Sequence, residues 1–214
     1  MKIGVLGTGT VGQTVAGALA SRGHEVRMGA REAANPKAAA WAKAAGGKAS
    51  NGTFADAAGF GEIVFNCTNG EASLKALAAA GAGNLAGKVL VDVANPLDFS
   101  KGMPPTLFTP QGDSLAEQIQ REFPKARVVK ALNTVNANVM FHPEKVPGET
   151  DLFVCGNDAD AKKRVAALLT DFGWKSVIDL GDVTGARGLE AYLLLWLRLW
   201  GVIGKPEFNV HIVR

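Results

Sequence analysis

The first residues of the chain constrain its fold more than any other segment. The apolar run Lys2 to Leu6 predicts a short buried strand, and it leads directly into Gly7-Thr8-Gly9-Thr10-Val11-Gly12. A helix is predicted from about Val11 to Ser21, followed by a second strand over Glu25 to Met28. This order is typical of a β-α-β unit, whose glycines permit a tight turn and close packing of the helix on the sheet.

Alternating strand and helix patterns continue along the chain. Further strands are predicted at Lys48 to Ser50, Glu62 to Asn66, Val89 to Asp92, Arg127 to Ala131, Asp151 to Cys155 and Lys175 to Asp179. Helices are predicted at Pro36 to Ala45, Thr53 to Ala58, Glu71 to Ala80, Ser114 to Phe123 and Asp158 to Phe172. The Pro-rich segment Leu97 to Gln111 is expected to be an irregular loop that carries function. Together these patterns predict a Rossmann-type α/β fold with a doubly wound, mostly parallel sheet.

The glycine motif and the second strand also indicate a ligand. A helix that starts in such a loop offers N–H groups and a positive dipole end to phosphate, so Gly7 to Gly12, with the Thr8 and Thr10 hydroxyls, is expected to hold a pyrophosphate. NAD-binding units place an acid near the end of the second strand, where this chain has Ala30-Arg31. A guanidinium can bind a 2′-phosphate in bidentate fashion, which favours NADP(H). The alternative is that Glu32 binds the ribose, and Lys37 is a weaker phosphate candidate.

Four motifs carry a resemblance to a known family. They are Gly7-Thr8-Gly9-Thr10-Val11-Gly12, Gly29-Ala30-Arg31, Val91-Asp92-Val93-Ala94-Asn95-Pro96 and Val129-Lys130-Ala131-Leu132-Asn133-Thr134. With these motifs the chain resembles the NADPH:coenzyme F420 oxidoreductases along essentially its whole length. It is also similar to the reductase domain of the STEAP metalloreductases and to the N-terminal domain of pyrroline-5-carboxylate reductase.

The resemblance implies an oxidoreductase that transfers hydride directly between NADP(H) and a stacked deazaflavin. Such a transfer needs alignment more than an acid or base, and no catalytic residue is assigned. Because ligands sit beyond the carboxyl ends of parallel strands, the nicotinamide is expected to contact a set of loop residues. That set is Cys67, Thr68, Asn69, Asn95, Pro96 and Asn133. The candidates for an acceptor pocket are Asn133, Thr134, Val135 and His142.

The sequence leaves the acceptor open. At Asn133-Thr134-Val135-Asn136 the chain departs from the His-Thr-Ile-Pro of the deazaflavin enzymes, so FMN or FAD are alternatives to coenzyme F420. A reductase of a small C=N or C=O substrate is a second alternative, and its proton donor would come from Thr68, Thr134, His142 or Tyr192. A non-enzymatic NADPH sensor or scaffold is the third.

Composition and charge indicate which classes of molecule the protein binds and where in the cell we expect it. The formal net charge is +3 and no basic run occurs, so no nucleic-acid partner is expected. The two cysteines, Cys67 and Cys155, match no metal spacing, and no metal is expected. Because the chain opens directly on a strand and its thiols look reduced, we expect a cytoplasmic protein.

The most apolar part of the sequence lies near its C-terminus. We expect a Rossmann domain over residues 1–180 and a helical segment over 181–214, with an apolar helix over 189–203. Glu190 and Arg198 interrupt this run, so no membrane span is expected. One face should pack on the domain, and the other should form a homodimer interface or roof the acceptor pocket. Burial within one subunit, with Trp196 and Trp200 in its core, is the alternative.

Overall fold

The computed structural model describes residues 1–213. The strands are β1 (Lys2–Leu6), β2 (Glu25–Ala30), β3 (Ala49–Thr53), β4 (Ile63–Asn66), β5 (Val89–Asp92), β6 (Leu97–Asp98), β7 (Thr106–Leu107), β8 (Arg127–Ala131), β9 (Asp151–Cys155) and β10 (Ser176–Asp179). The helices are α1 (Thr10–Ser21), α2 (Pro36–Ala45), α3 (Phe54–Phe60), α4 (Gly70–Ala80), α5 (Ala82–Leu85), α6 (Leu115–Glu122), α7 (Ala137–Met140), α8 (Ala159–Asp171) and α9 (Ala186–Ile203).

The fold is built on an eight-stranded sheet in the order β10-β9-β8-β5-β4-β1-β2-β3. β1 pairs in parallel with both β2 and β4, so the chain first winds to one side of β1 and then to the other. Buried residues of α1, α2, α7 and α8 form one apolar core with the sheet, and those of α3 to α6 form another on the opposite face. The expected Rossmann-type, doubly wound α/β fold is therefore confirmed.

Local sequence signals explain where most helices begin. The Asn35 side chain caps α2 by accepting hydrogen bonds from the first-turn N–H groups, and Pro36 follows it at the first helical position. Thr53 and Asp56 form a reciprocal capping box at α3, as expected for Thr53. α1 differs, because it begins after Gly9 and no side chain among the described residues caps it.

Two strands, β9 and β10, run against the parallel order that repeated strand and helix patterns suggest. β9 pairs antiparallel with β8, with Lys130 opposite Cys155. Parallel neighbours need a crossover that carries the chain back along the sheet, usually through a helix. The connection from β8 to β9 contains only the four-residue α7 and a short 3-10 turn at Pro143–Lys145, so the chain re-enters at the same edge. β10 then returns parallel to β9 through the longer α8.

The C-terminal segment is a single long helix and a tail. α9 packs on α6, and Ala186 and Leu189 share a small apolar cluster with Ala116. Gly204, in the left-handed conformation at φ +80°, ends the helix and turns the tail back to the sheet. There the Asp151 N–H donates to the Val210 carbonyl over 3.0 Å. Over residues 1–213, none of the helices combines the length and apolarity that a membrane span requires.

Candidate active site

Two adjoining cavities lie where β1, β2, β4 and β5 end. The adenine-side cavity, of about 400 Å³, is lined by the glycine loop, by the residues after β2 and by Cys67, Thr68 and Asn69. The nicotinamide-side cavity, of about 170 Å³, shares those three residues and continues past Asn95 to Phe99. Together they form one groove along the carboxyl edge of the sheet, the position at which open α/β sheets bind ligands.

The glycine loop has the geometry that a phosphate cradle requires. Gly7 has φ +119°, a conformation that side chains disfavour, and its N–H donates to the Gly29 carbonyl over 3.0 Å. A Cβ atom on Gly12 would stand 2.1 Å from the Gly7 carbonyl oxygen, so only glycine allows this helix–loop contact. A Cβ on Gly9 would meet nothing within 4 Å, which leaves open space directly above the uncapped start of α1. This arrangement fits a pyrophosphate.

The residues after β2 lie at the other wall of the adenine-side cavity. Ala30 is buried, whereas Arg31 and Glu32 are exposed and both line the cavity. Within residues 1–213 Arg31 has no salt-bridge partner, so its guanidinium is available to a ligand. Lys37 is exposed on the first turn of α2 and does not line the groove.

The loop after β4 is held rigidly where the two cavities meet. The Thr68 hydroxyl donates to Asn66 Oδ1 over 2.7 Å, and the Asn69 side chain caps α4. A Cβ on Gly70 would stand 2.1 Å from the Asn95 carbonyl oxygen, so the start of α4 abuts the loop after β5. Burial raises the pKa of the Cys67 thiol well above its usual range, so this thiol stays neutral and forms part of the wall.

The loops after β5 and β8 are joined by a reciprocal pair of amides. Asn95 Nδ2 donates to the Asn133 carbonyl over 3.2 Å, and Asn133 Nδ2 donates to Asn95 Oδ1 over 3.0 Å. Asn133 also donates to the Leu189 carbonyl on α9 over 2.9 Å. The loop is packed inside the fold, and Asn133, Thr134 and Val135 are only 2%, 2% and 6% exposed. α9 contacts Asn133, whereas Val135 belongs to the apolar core on the sheet. The sequence suggested that these three residues line an acceptor pocket. In the structure none of them lines either cavity of the groove, and Asn133 instead holds Asn95.

Two other candidate residues also lie apart from the groove. The His142 ring bonds to Glu144 at 3.0 Å, and the neighbouring Pro143 and Glu144 line a separate cavity of about 440 Å³ near the starts of β9 and β10. The Tyr192 hydroxyl is buried in the described part of the chain without a hydrogen-bond partner, on α9. Pro96 is buried beside Asn95 and does not line the nicotinamide-side cavity.

Sequence reasoning missed two features of the site. The first is Phe99, which follows β6 in the segment predicted to be irregular and lines the outer end of the groove with half of its surface exposed. The second is a buried cluster beneath the groove, formed by Lys130, Asp92 and Glu190. The signal for it was present, because each of these charged residues lies in an otherwise apolar segment.

Comparison with known proteins places this geometry in a family. The family described as "NADP oxidoreductase coenzyme F420-dependent" matches residues 2–96, which hold the glycine loop, Arg31 and the loop to Pro96. A crystal structure of a protein from Arthrobacter sp. FB24, described as a candidate F420-dependent NADP-reductase, is 54% identical with a TM-score of 0.95, over 100% of both chains.

Two curated relatives match over different lengths. The F420-dependent NADP reductase of Methanocaldococcus jannaschii is 36% identical over 117 residues, or 54% of this chain and 52% of that protein. Metalloreductase STEAP3 of Rattus norvegicus is 31% identical over 204 residues, which are 94% of this chain but only 38% of that protein. The chain thus spans about half or less of these two relatives, whereas it matches the Arthrobacter structure from end to end. By this full-length likeness and the matched family motifs, the chain belongs to the coenzyme F420-dependent NADP oxidoreductases.

Proposed function

We propose that this protein transfers hydride directly between NADP(H) and a planar acceptor, coenzyme F420 or a flavin, in the groove. The observation that carries the proposal is the continuity of the groove from Arg31, past the glycine loop, to Phe99. An extended dinucleotide needs a charged end, a phosphate cradle and an apolar end in this order, and the groove offers all three.

The chain's own groups account for binding at the first two positions. The Arg31 guanidinium is positioned to bind a 2′-phosphate, and the backbone N–H groups at the start of α1 are positioned to bind the pyrophosphate. Thr68 and Asn95 line the cavity beside the expected position of the nicotinamide carboxamide, where the Thr68 hydroxyl oxygen can accept a hydrogen bond. NADP(H), when bound, supplies or accepts a hydride at C4 of its nicotinamide ring.

The nicotinamide-side cavity favours direct hydride transfer over acid-assisted reduction. Its walls are largely apolar, with Val11, Val93 and Leu97 beside Phe99. Its side-chain O–H and S–H groups, among the described residues, are the Thr68 hydroxyl, which is already donated to Asn66, and the neutral Cys67 thiol. Reduction of a C=N or C=O bond needs a proton donor at this position, whereas hydride transfer between stacked rings needs alignment.

Stopped-flow oxidation of NADPH at equal protein and cofactor concentrations tests the proposal, with coenzyme F420, FMN and FAD offered separately. We expect rapid oxidation with at least one of them. Oxidation with FMN or FAD alone would assign the protein to the flavin reductases. Tight NADPH binding without oxidation by any of the three would refute the proposed reaction and favour an imine reductase or a sensor.

We further infer that a second copy of the chain covers the outer side of α9. Leu194, Leu195 and Val202 are 37%, 55% and 87% exposed there, and Trp200 and Ile203, farther around the helix, are 41% and 44% exposed. A patch of this kind on a helix is typical of an interface, and symmetric dimers bury one patch against itself. Sedimentation velocity should show a dimer, and Leu195→Asp should shift it to monomer. A monomer at all concentrations would refute the inference.

A further inference from the structure

A buried ammonium lies directly beneath the nicotinamide-side cavity. Lys130, on β8, is 0% exposed, and its Nζ lies 2.7 Å from Asp92 Oδ2 at the end of β5 and 2.8 Å from Glu190 Oε1 on α9. The same ammonium donates to the Ala94 carbonyl, which belongs to the loop that lines the cavity. We call Lys130, Asp92 and Glu190 the buried triad.

The triad brings more negative than positive charge into the interior. Burial lowers the pKa of Lys130, but the two carboxylates outweigh that effect and raise it overall, so the ammonium stays charged. Burial raises the pKa of Glu190 despite the nearby ammonium. Replacing such a cluster with neutral groups of similar shape often costs a fold little or even stabilises it. Stability alone is therefore a poor reason for this chain to carry the triad.

The contacts of the triad converge on the loop after β5. Asp92 Oδ1 accepts a hydrogen bond from the Ala94 N–H over 3.3 Å, while Lys130 holds the carbonyl of the same residue. Val93, Ala94 and Asn95 have no regular secondary structure. The Val93 N–H still donates to the Asn66 carbonyl over 3.0 Å, and beyond it the contacts of the triad hold Ala94. Asp92 Oδ1 also accepts from Asn66 Nδ2 over 2.8 Å, and Asn66 in turn holds the Thr68 hydroxyl.

The other side of the triad anchors the C-terminal helix. Glu190 accepts hydrogen bonds from the Leu115 and Ala116 N–H groups over 2.8 and 3.1 Å, and so caps α6 from α9. One ammonium thereby connects both walls of the nicotinamide-side cavity with α6 and α9. The adenine-side residues, Arg31 and the glycine loop, make no contact with the triad in the described structure.

From these contacts we infer that Lys130 is a positioning residue for the proposed hydride transfer. It acts through Asp92 and the Ala94 carbonyl, which fix the cavity wall formed by Val93, Ala94 and Asn95. This inference rests on the proposed function. Lys130 touches neither hydride donor nor acceptor, so its loss should change the alignment of the two rings and leave nucleotide affinity intact. Displacements of about 1 Å in such alignment slow transfer by roughly 100-fold.

The test removes all three charges together, because removing the Lys130 ammonium alone would leave two buried carboxylates unpaired. In the triple variant Lys130→Met, Asp92→Asn, Glu190→Gln we expect a folded protein with unchanged Kd for NADPH. Single-turnover hydride transfer should fall roughly 10- to 100-fold, with an altered primary isotope effect from 4-deuterated NADPH. Backbone amides of Ala94 and Asn95 should exchange faster, a readout that needs no turnover.

A matched control separates positioning from stability. Arg187→Gln breaks the pair between Arg187 and Glu117, at 2.6 and 2.9 Å, which joins the same two helices without contacting the groove. It should lower stability without changing the isotope effect or the exchange of Ala94. If the triple variant does not fold, Asp92→Asn alone is used, which leaves one ammonium and one carboxylate. It should change the isotope effect and the amide exchange of Ala94 in the same direction as the triple variant, by less.

The outcomes are distinct. A folded variant with wild-type transfer, isotope effect and amide exchange overturns the positioning role. If the wild-type protein passes hydride from NADPH to none of coenzyme F420, FMN and FAD, the proposed function is refuted instead. Amide exchange at Ala94 and Asn95 then still decides whether the triad holds the loop. Unchanged exchange of these amides in the triple variant, or in Asp92→Asn if the triple variant does not fold, would overturn the inference.

Discussion

Replacing Arg31 with alanine should convert a protein that prefers NADPH into one that binds NADPH and NADH alike. The two cofactors differ only in the 2′-phosphate, and Arg31 is the group that the groove offers to it. Because the side chain is exposed, the substitution should change the free energy of unfolding by less than about 0.5 kcal/mol. A loss of affinity for NADPH in this variant would therefore reflect a lost contact with the ligand and not a destabilised fold.

The size of the effect follows from the type of contact. Hydrogen bonds to a charged partner contribute about 1.5–3 kcal/mol, and an exposed guanidinium that forms no salt bridge within residues 1–213 falls within that range. At about 1.4 kcal/mol for each factor of ten, Arg31→Ala should weaken NADPH binding roughly 10- to 150-fold. The Kd of NADH should stay as it is.

Adding the protein stepwise to each reduced cofactor and following the cofactor's fluorescence measures the Kd of NADPH and the Kd of NADH directly. Lys37→Ala is the matched control, because this residue is also basic and exposed but does not line the groove. It should leave the ratio of the two constants unchanged. Added salt should weaken NADPH binding to the wild type more than to Arg31→Ala, since screening acts on the phosphate contact.

Two results would refute this reasoning. An equal loss for NADPH and NADH would mean that Arg31 acts on adenine or on the fold and not on the 2′-phosphate. An unchanged preference in Arg31→Ala, together with weaker NADH binding in Glu32→Ala, would show that Glu32 binds the ribose and that the protein is built for NAD(H).

Three further predictions address the cradle, the acceptor and acid stability. Gly12→Ala places a Cβ 2.1 Å from a carbonyl oxygen and should cost about 1–3 kcal/mol in urea unfolding and abolish nucleotide binding. Phe99→Ala should raise the KM of a planar acceptor roughly 2- to 10-fold, whereas Phe108→Ala, exposed but outside the groove, should not. Arg121 lowers the pKa of Asp113 to about 2, so its stabilisation is present above about pH 4 and lost as the pH falls towards 2; Asp113→Asn should remove that loss from acid unfolding curves.

The sequence predicted most of the sheet because most strands are short apolar runs bounded by turn residues, although β3 is largely polar. β1, β5, β8 and β9 begin and end where the pattern places them. The direction of β9 was not predictable in this way, because hydrophobic runs carry no direction. The direction depends on whether the connection before the strand crosses back along the sheet. The connection before β9 contains only the four-residue helix α7, which is too short to do so.

Gly7, Thr8, Gly9 and Arg31 line the adenine-side cavity, because their positions depend on local backbone geometry, which a motif of fixed spacing records. That they bind a cofactor stays a prediction. The acceptor end depends on tertiary packing. Asn133 lies beyond the carboxyl end of a strand, as expected, but α9 covers it, and its amide turns to Asn95 and to the Leu189 carbonyl. No pattern within the β8 segment indicates that a helix more than fifty residues later would close over it.

The buried triad shows what a sequence can and cannot say about charge. Lys130 lies in an apolar strand and Glu190 in an apolar helix. A charged side chain in either position must form an ion pair or reach the solvent. The presence of pairs is therefore predictable, yet the partners are 38 and 60 residues from Lys130, and each could have met another charge in a different topology. Only the placement of β5 beside β8, with α9 against them, brings the three together, and it does so under the loop that lines the nicotinamide-side cavity.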